Sequence, residues 1–154
     1  MSRTNAGPAP VSLHRATADW GEGTSDAPGQ EGDGTDATPS DATWFHTFFD
    51  TDFWASIGGD FAPTASATTS VDQEGPYSWG STAGMTADVS AWVDDPIANF
   101  GWVVVGDESL SGQGQSTAKR FDTHEIAEEG PLAPQLQITF TPPVPVELQS
   151  FDVD

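Results

Sequence analysis

A chain of 154 residues is long enough for one domain with its own core. Its 24 acids against 4 bases give a formal net charge of -20, which excludes a nucleic-acid binder held by phosphate attraction and opposes adhesion to an anionic membrane surface. Cysteine is absent, so disulfide and thiolate chemistry are excluded, and no apolar run reaches the roughly 18 residues that a membrane-spanning helix needs.

The acids are mostly aspartate, 16 against 8 glutamates, and they are spread along the whole chain. High salt screens the self-repulsion of such a surface, which makes a halophilic setting the more economical reading. A calcium-rich exterior, where carboxylates act as hard oxygen ligands, is the other. The opening residues 1–8, MSRTNAGP, contain no apolar signal-peptide core.

Glycine (16) and proline (12) are frequent and helical periodicity is scarce, a pattern that predicts an all-β antiparallel sandwich. In chain order, residues 11–15 alternate with Val11 and Leu13 on one face. Residues 21–41 are nearly devoid of apolar side chains and read as a long solvated loop. Residues 42–49 are strongly β-prone, with Trp44 and Phe48 on one face and Phe45 and Phe49 on the other. Residues 50–60 form an aromatic turn region, 62–72 suit a surface strand, and 77–79 and 85–89 read as further strand pieces.

Val89, Trp92 and Val93 have spacings of three and four, which predicts one short helix near residues 89–95, limited by Pro96. Residues 102–105 are apolar on both faces and read as a central strand. Residues 135–141 alternate cleanly, placing Leu136, Ile138 and Phe140 inward. Prolines at 142, 143 and 145 then end the sheet. The domain therefore spans 1–141, and 142–154 read as a linker and the start of a following domain.

The three histidines lie in alternating segments without helical ligand spacing, against a zinc site. No Gly-x-Ser-x-Gly elbow and no phosphate loop is present. Paired acids such as Asp50/Asp52, Asp94/Asp95, Asp107/Glu108 and Glu128/Glu129 supply the carboxylates a polysaccharide hydrolase or lyase would use, but neighbours in a strand point to opposite faces. Calcium is the better expectation. Asp50 and Asp52 form a short oxygen-rich loop and Asp60 follows two glycines, although none matches the EF-hand calcium-loop pattern.

Six tryptophans suggest sugar stacking, in which an aromatic face meets the apolar face of a pyranose. Trp92 and Trp102, embedded in apolar sequence, read as core, as does Trp44. Trp54 and Trp79, flanked by Asp, Ser and Gly, are the surface candidates for carbohydrate. Lys119 and Arg120 are rare cations placed side by side, and alternation sends them to opposite faces. Arg120 is expected to fork onto a carboxylate, with Asp107 or Glu108 as partner, and Glu125 belongs to the same set of structural ion pairs.

At these residues the chain resembles a known family. NFGWVVVGDES (99–109), TAKRFDTHE (117–125) and PQLQITF (134–140) resemble the C-terminal half of the DNRLRE domain. That family is also called the disaggregatase-related repeat and is similar to carbohydrate-binding module family ninety-six. VSLHRATADWGEGTS (11–25), DATW (41–44) and GGDF (58–61) are similar to its middle part.

The resemblance covers residues 5–141 and implies a jelly-roll-like β-sandwich, truncated at its N-terminus, from a large exported or cell-surface protein. It implies a non-catalytic module that binds a polysaccharide or cell-envelope glycan, or assembles with other domains of a longer chain. It brings no catalytic residues. His124 stands where an arginine is common. Two other classes remain open: a polysaccharide-degrading hydrolase or lyase using paired carboxylates, and a purely structural adhesion or matrix domain.

Overall fold

A computed structural model of the chain describes residues 2–3, 7–26, 34–107, 117–123 and 133–141. Strands predominate, all paired antiparallel, with one α-helix and one 3-10 turn. The strands are β1 (Ser2–Arg3), β2 (Ala9–Arg15), β3 (His46–Phe48), β4 (Asp52–Phe53), β5 (Ala67–Val71), β6 (Trp102–Gly106) and β7 (Lys119–Arg120). Helix α1 is Ala83–Asp94, and the 3-10 turn is Pro96–Ala98.

The main sheet has the order β5-β2-β6. Register places Ala9 opposite Val71, Leu13 opposite both Ala67 and Val104, and Arg15 opposite Trp102. Side chains alternate across a strand, so odd-numbered β2 and β5 positions share one face. Ala9, Val11, Ala67 and Val71 on that face are buried, and with Ala16 and Trp92 they form the described core. The opposite face is polar, with Ser12 Oγ 2.8 Å from Thr68 Oγ1. The alternation expected for 11–15 is present in β2, and the surface strand expected within 62–72 is β5, which buries Ala67 and Val71 on its inner face.

Several strand expectations are corrected. β6 was expected to be central because its residues are apolar on both faces, but β2 is central and β6 lies at the edge among the described residues. Val104 is accordingly 49% exposed. Residues 135–141 form no strand, and Leu136, Ile138 and Phe140 point to solvent rather than inward. Alternation defines a face, but a strand also needs a hydrogen-bonding neighbour, and none pairs with this segment among the described residues. Residues 77–79 are also not a strand. Tyr77 donates its hydroxyl to Gln73 O and accepts from Asp72 N, a local turn brace.

The helix is longer than expected and absorbs residues 85–89, which had read as a strand. Thr82 caps it. Its hydroxyl accepts from Met85 N at 3.1 Å and donates to Ser66 O, so one side chain both starts the helix and ties it to the sheet. Pro96 ends it within two residues of Asp94, as expected.

Gly84, Asp88 and Trp92 recur every four residues and so share one helix face. That face packs on the sheet. A Cβ at Gly84 would lie 2.6 Å from Ser66 O and 2.9 Å from its Cα. Backbone atoms cannot rotate away, so Gly84→Val should destabilise the fold by about 1–3 kcal/mol through overpacking. A lowered urea midpoint at unchanged slope is the expected result. An unchanged midpoint would show that α1 does not press on β5 at this point.

Candidate functional site

The exposed aromatic surface concentrates on the hairpin that β3 and β4 make. His46 pairs with Phe53 and Phe48 with Asp52, with a bulge between. Around this ladder Trp44, Phe45, Phe53 and Ile57 are each more than half exposed. Thr43 organises the approach. Its hydroxyl accepts from Phe45 N at 3.2 Å and His46 N at 3.0 Å and lies 3.0 Å from His46 Nδ1. Its carbonyl accepts the Trp54 indole N–H at 2.9 Å. The His46 ring then lies 4.3 Å from Phe53 and 5.2 Å, edge on, from Phe49. The hairpin is thus braced from beneath by Thr43, His46 and Trp54.

Trp44 is the outstanding member. It was expected in the core, yet it is 60% exposed. The cause lies at Gly58, whose N–H donates to Trp44 O at 2.9 Å. A Cβ there would sit 2.9, 3.1 and 3.3 Å from three consecutive benzo-ring atoms, Cη2, Cζ2 and Cζ3. Near-equal distances to consecutive ring atoms describe a face-on approach. The indole therefore rests one face on the glycine backbone and turns the other to solvent. Gly58 has a φ of +94°, a region that favours glycine.

The other tryptophans are more engaged. Trp54 is half-buried. Trp79 is half-buried on the main sheet, donating its indole N–H to Val11 O at 2.8 Å with its ring 5.9 Å from Phe121. The structure thus places Trp54 on the same hairpin as Trp44, bonded to Phe45 O and Thr43 O, and leaves Trp79 on the main sheet. Trp20 is 42% exposed and donates to Phe100 O. Trp92 is buried as expected, and its ring meets Trp102 at 4.5 Å in a T-shaped contact.

Among the expected calcium ligands, Asp60 uses both carboxylate oxygens to accept from Ala55 N (2.8 Å) and Ser56 N (2.9 Å), closing the loop beside the hairpin. Asp52 accepts from Thr51 Oγ1, and Asp50 is exposed on the turn. These three carboxylates do not converge, and no group of three or more metal-ligating side chains occurs among the described residues. His14 is satisfied by Ala62 O at 2.8 Å and packs on Phe61, a structural role like that of His46.

The cation pair sits in the two-residue β1–β7 ladder, with Arg120 opposite Ser2 and Lys119 opposite Arg3. Lys119 Nζ donates to Gly7 O at 2.9 Å. The Asp107 carbonyl accepts from Thr117 Oγ1. Glu108 and Glu125 lie outside the described residues, as does His124.

Two acids that sequence reasoning missed hold the scaffold. Asp88 on α1 accepts the Trp102 indole N–H at 2.8 Å and the Ser66 hydroxyl, with Arg15 Nε 3.7 Å away. Asp41 is 4% exposed. It accepts from Thr38 N, from Thr38 Oγ1 at 3.1 Å and from Ser25 N at 3.4 Å. This clasp closes the two ends of the polar 21–41 segment onto each other just before Trp44. Its ends are therefore braced rather than simply solvated. Gly23 makes room, since a Cβ there would fall on the Asp41 carboxylate.

The Thr38 backbone N–H is the main cause that holds the Asp41 carboxyl below its ordinary value of 3.8; burial opposes it, and the Ser25 and Thr38 hydrogen bonds add to it. A carboxyl whose pKa falls on folding stabilises the fold above its unfolded value, and the benefit is lost as pH drops through the folded value. Wild type should therefore lose stability below about pH 4 by more than Asp41→Asn does. Urea midpoints at pH about 6 and about 3 test this. Equal acid losses in both proteins would remove Asp41 from the account.

Comparison with protein-family models, with curated proteins and with solved structures returned no match to the chain.

Proposed function

We propose that this chain is a non-catalytic carbohydrate-binding module of an exported or cell-surface protein, a jelly-roll-like sandwich of the DNRLRE type. The observation that carries the reading is Trp44. Its indole lies against Gly58 and is 60% exposed, and Phe45 and Phe53 on the same hairpin are also more than half exposed. A rigid, exposed aromatic face is what a pyranose ring stacks on. Pre-organisation by Thr43, His46 and Trp54 lowers the ordering cost of binding. Exposed apolar residues scattered singly are ordinary, but three exposed aromatic residues on one short hairpin suit an interaction surface.

The structural matrix reading keeps one observation of its own. Val93 and Ile97, away from the hairpin, are 74% and 85% exposed and suit contact with neighbouring domains. A glycan array probed with wild type and Trp44→Ala separates the two readings. Carbohydrate binding predicts signal from wild type that the variant loses. A folded wild type that lights no glycan transfers the domain to the structural reading.

A further inference from the structure

The main sheet has one edge tied to a neighbouring segment and one edge that is open. At β5 the chain folds back along the edge, where the Thr69 hydroxyl donates to Ser78 O at 3.0 Å. β6 pairs with β2 alone among the described residues. Ala16 N donates to Gly101 O at 2.9 Å, in step with the β2–β6 register. Backbone groups alternate in direction along a strand, so the N–H and C=O of Trp102, Val104 and Gly106 point away from β2. Val104 stands opposite Leu13, on the face that buries Val11 and Ala67, yet it is 49% exposed. The edge therefore offers an added strand both backbone groups and an uncovered apolar side chain.

A segment suited to that edge lies later in the chain. Residues 135–141, QLQITFT, alternate polar and apolar, and Leu136, Ile138 and Phe140 are each more than half exposed. The segment has no ladder partner among the described residues. Prolines at 134 and 142 bound it. The two surfaces also match in charge. Residues 96–106 and 130–146 contain no Asp, Glu, Lys or Arg, in a chain whose formal net charge is -20. A contact between these stretches brings no carboxylates together. Val104 and Leu136, Ile138 and Phe140 are exposed in the same molecule, so the segment does not cover its own β6.

We propose that residues 135–141 of one copy add as a strand to the β6 edge of a second copy. Main-chain bonds to the outward groups at 102, 104 and 106 supply the affinity, and alternate apolar side chains cover Val104. Donor and acceptor are different surfaces, so the contact is heterologous and joins copies head to tail. The net charge opposes the approach of two copies, and salt relieves it as the Debye length falls from about 10 Å at 0.1 M to about 3 Å at 1 M. This junction uses neither Trp44 nor Phe53, so it stands or falls apart from the sugar platform.

The test is light scattering of the full chain at about 0.1 and about 1 M NaCl. Wild type should form oligomers that grow with salt and with protein concentration, and Ile138→Asp should associate at least about tenfold more weakly. Ile138 is exposed and lies outside the sheets, so this variant keeps the fold. Val104→Asp breaks the acceptor instead. Neither variant should associate alone, but a mixture should form a dimer, because one keeps its donor and the other its acceptor. Hydrogen exchange on wild type gives a second readout that does not depend on Val104→Asp folding: amides of 102–106 and 135–141 should gain protection on assembly. Monomers at both salt concentrations overturn the proposal. Protection of both segments in a monomer also overturns it, by placing 135–141 on its own β6. So do oligomers that Ile138→Asp leaves unchanged, or that Trp44→Ala abolishes.

Discussion

Replacing Asp88 with alanine should destabilise the domain by about 3 kcal/mol, the largest single loss expected from a side chain that touches no ligand. The carboxylate is the only described link of its kind between α1 and two strand-end positions. It accepts the Trp102 indole N–H and the Ser66 hydroxyl, and its side chain is 14% exposed. Hydrogen bonds to a charged acceptor contribute about 1.5–3 kcal/mol each, and removing the acceptor leaves partly buried donors without a partner. The Arg15 contact adds little, because the guanidinium is 41% exposed and 3.7 Å away. The described core is small, so α1 leans on this clasp more than it would in a larger domain. Urea unfolding measures the effect. Both bonds go to the same carboxylate oxygen, so Asp88→Asn can keep both with a neutral amide oxygen and should fall between wild type and Asp88→Ala. A loss below about 1 kcal/mol for the alanine variant would show that Thr82, Gly84 and Trp92 seat the helix without Asp88.

Trp44→Ala should reduce glycan affinity by about 30-fold or more while leaving thermal stability within about 1 kcal/mol of wild type. The two halves of this prediction come from the same observation. An indole that is 60% exposed contributes little to folding, so its removal creates no cavity. A rigid exposed ring is the kind of anchor whose truncation costs about 2 kcal/mol of binding. Gly58→Ala provides the complementary variant. Its methyl would press on the ring at 2.9 Å and force a residue with φ of +94° to accept a Cβ. It should move Trp44 and weaken binding without deleting any aromatic surface.

What the chain discloses before folding depends on which physics decides each element. β2 and β5 are governed by period-2 alternation, and Ala9, Val11, Ala67 and Val71 all lie on the face that alternation predicts. The helix was half legible. Val89, Trp92 and Val93 show its period, while residues 85–89 also alternate and so imitate a strand. The four-residue recurrence of Gly84, Asp88 and Trp92 is the signal that separates the two. The position of β6 at the edge and the exposure of Leu136, Ile138 and Phe140 depend on which strands find partners, and composition carries no record of that. Trp44 is the instructive case. Its neighbours are aromatic, so it reads as core, but its exposure is decided by Gly58, fourteen residues later, through a contact visible only once the hairpin is formed. Asp41 and Asp88 look like any other acids in a chain that has 24 of them. Only the donors gathered around them set them apart.

The central claim, that the Trp44 face is a sugar platform, is tested most directly by residue-resolved NMR during titration with soluble β-glucan and galactomannan oligosaccharides. The account predicts saturable shifts confined to the Trp44 indole, the Phe45 and Phe53 rings and the backbone amides of residues 43–58. Shifts centred on the main sheet around Trp79, or no shifts in a folded protein at millimolar sugar, would contradict it.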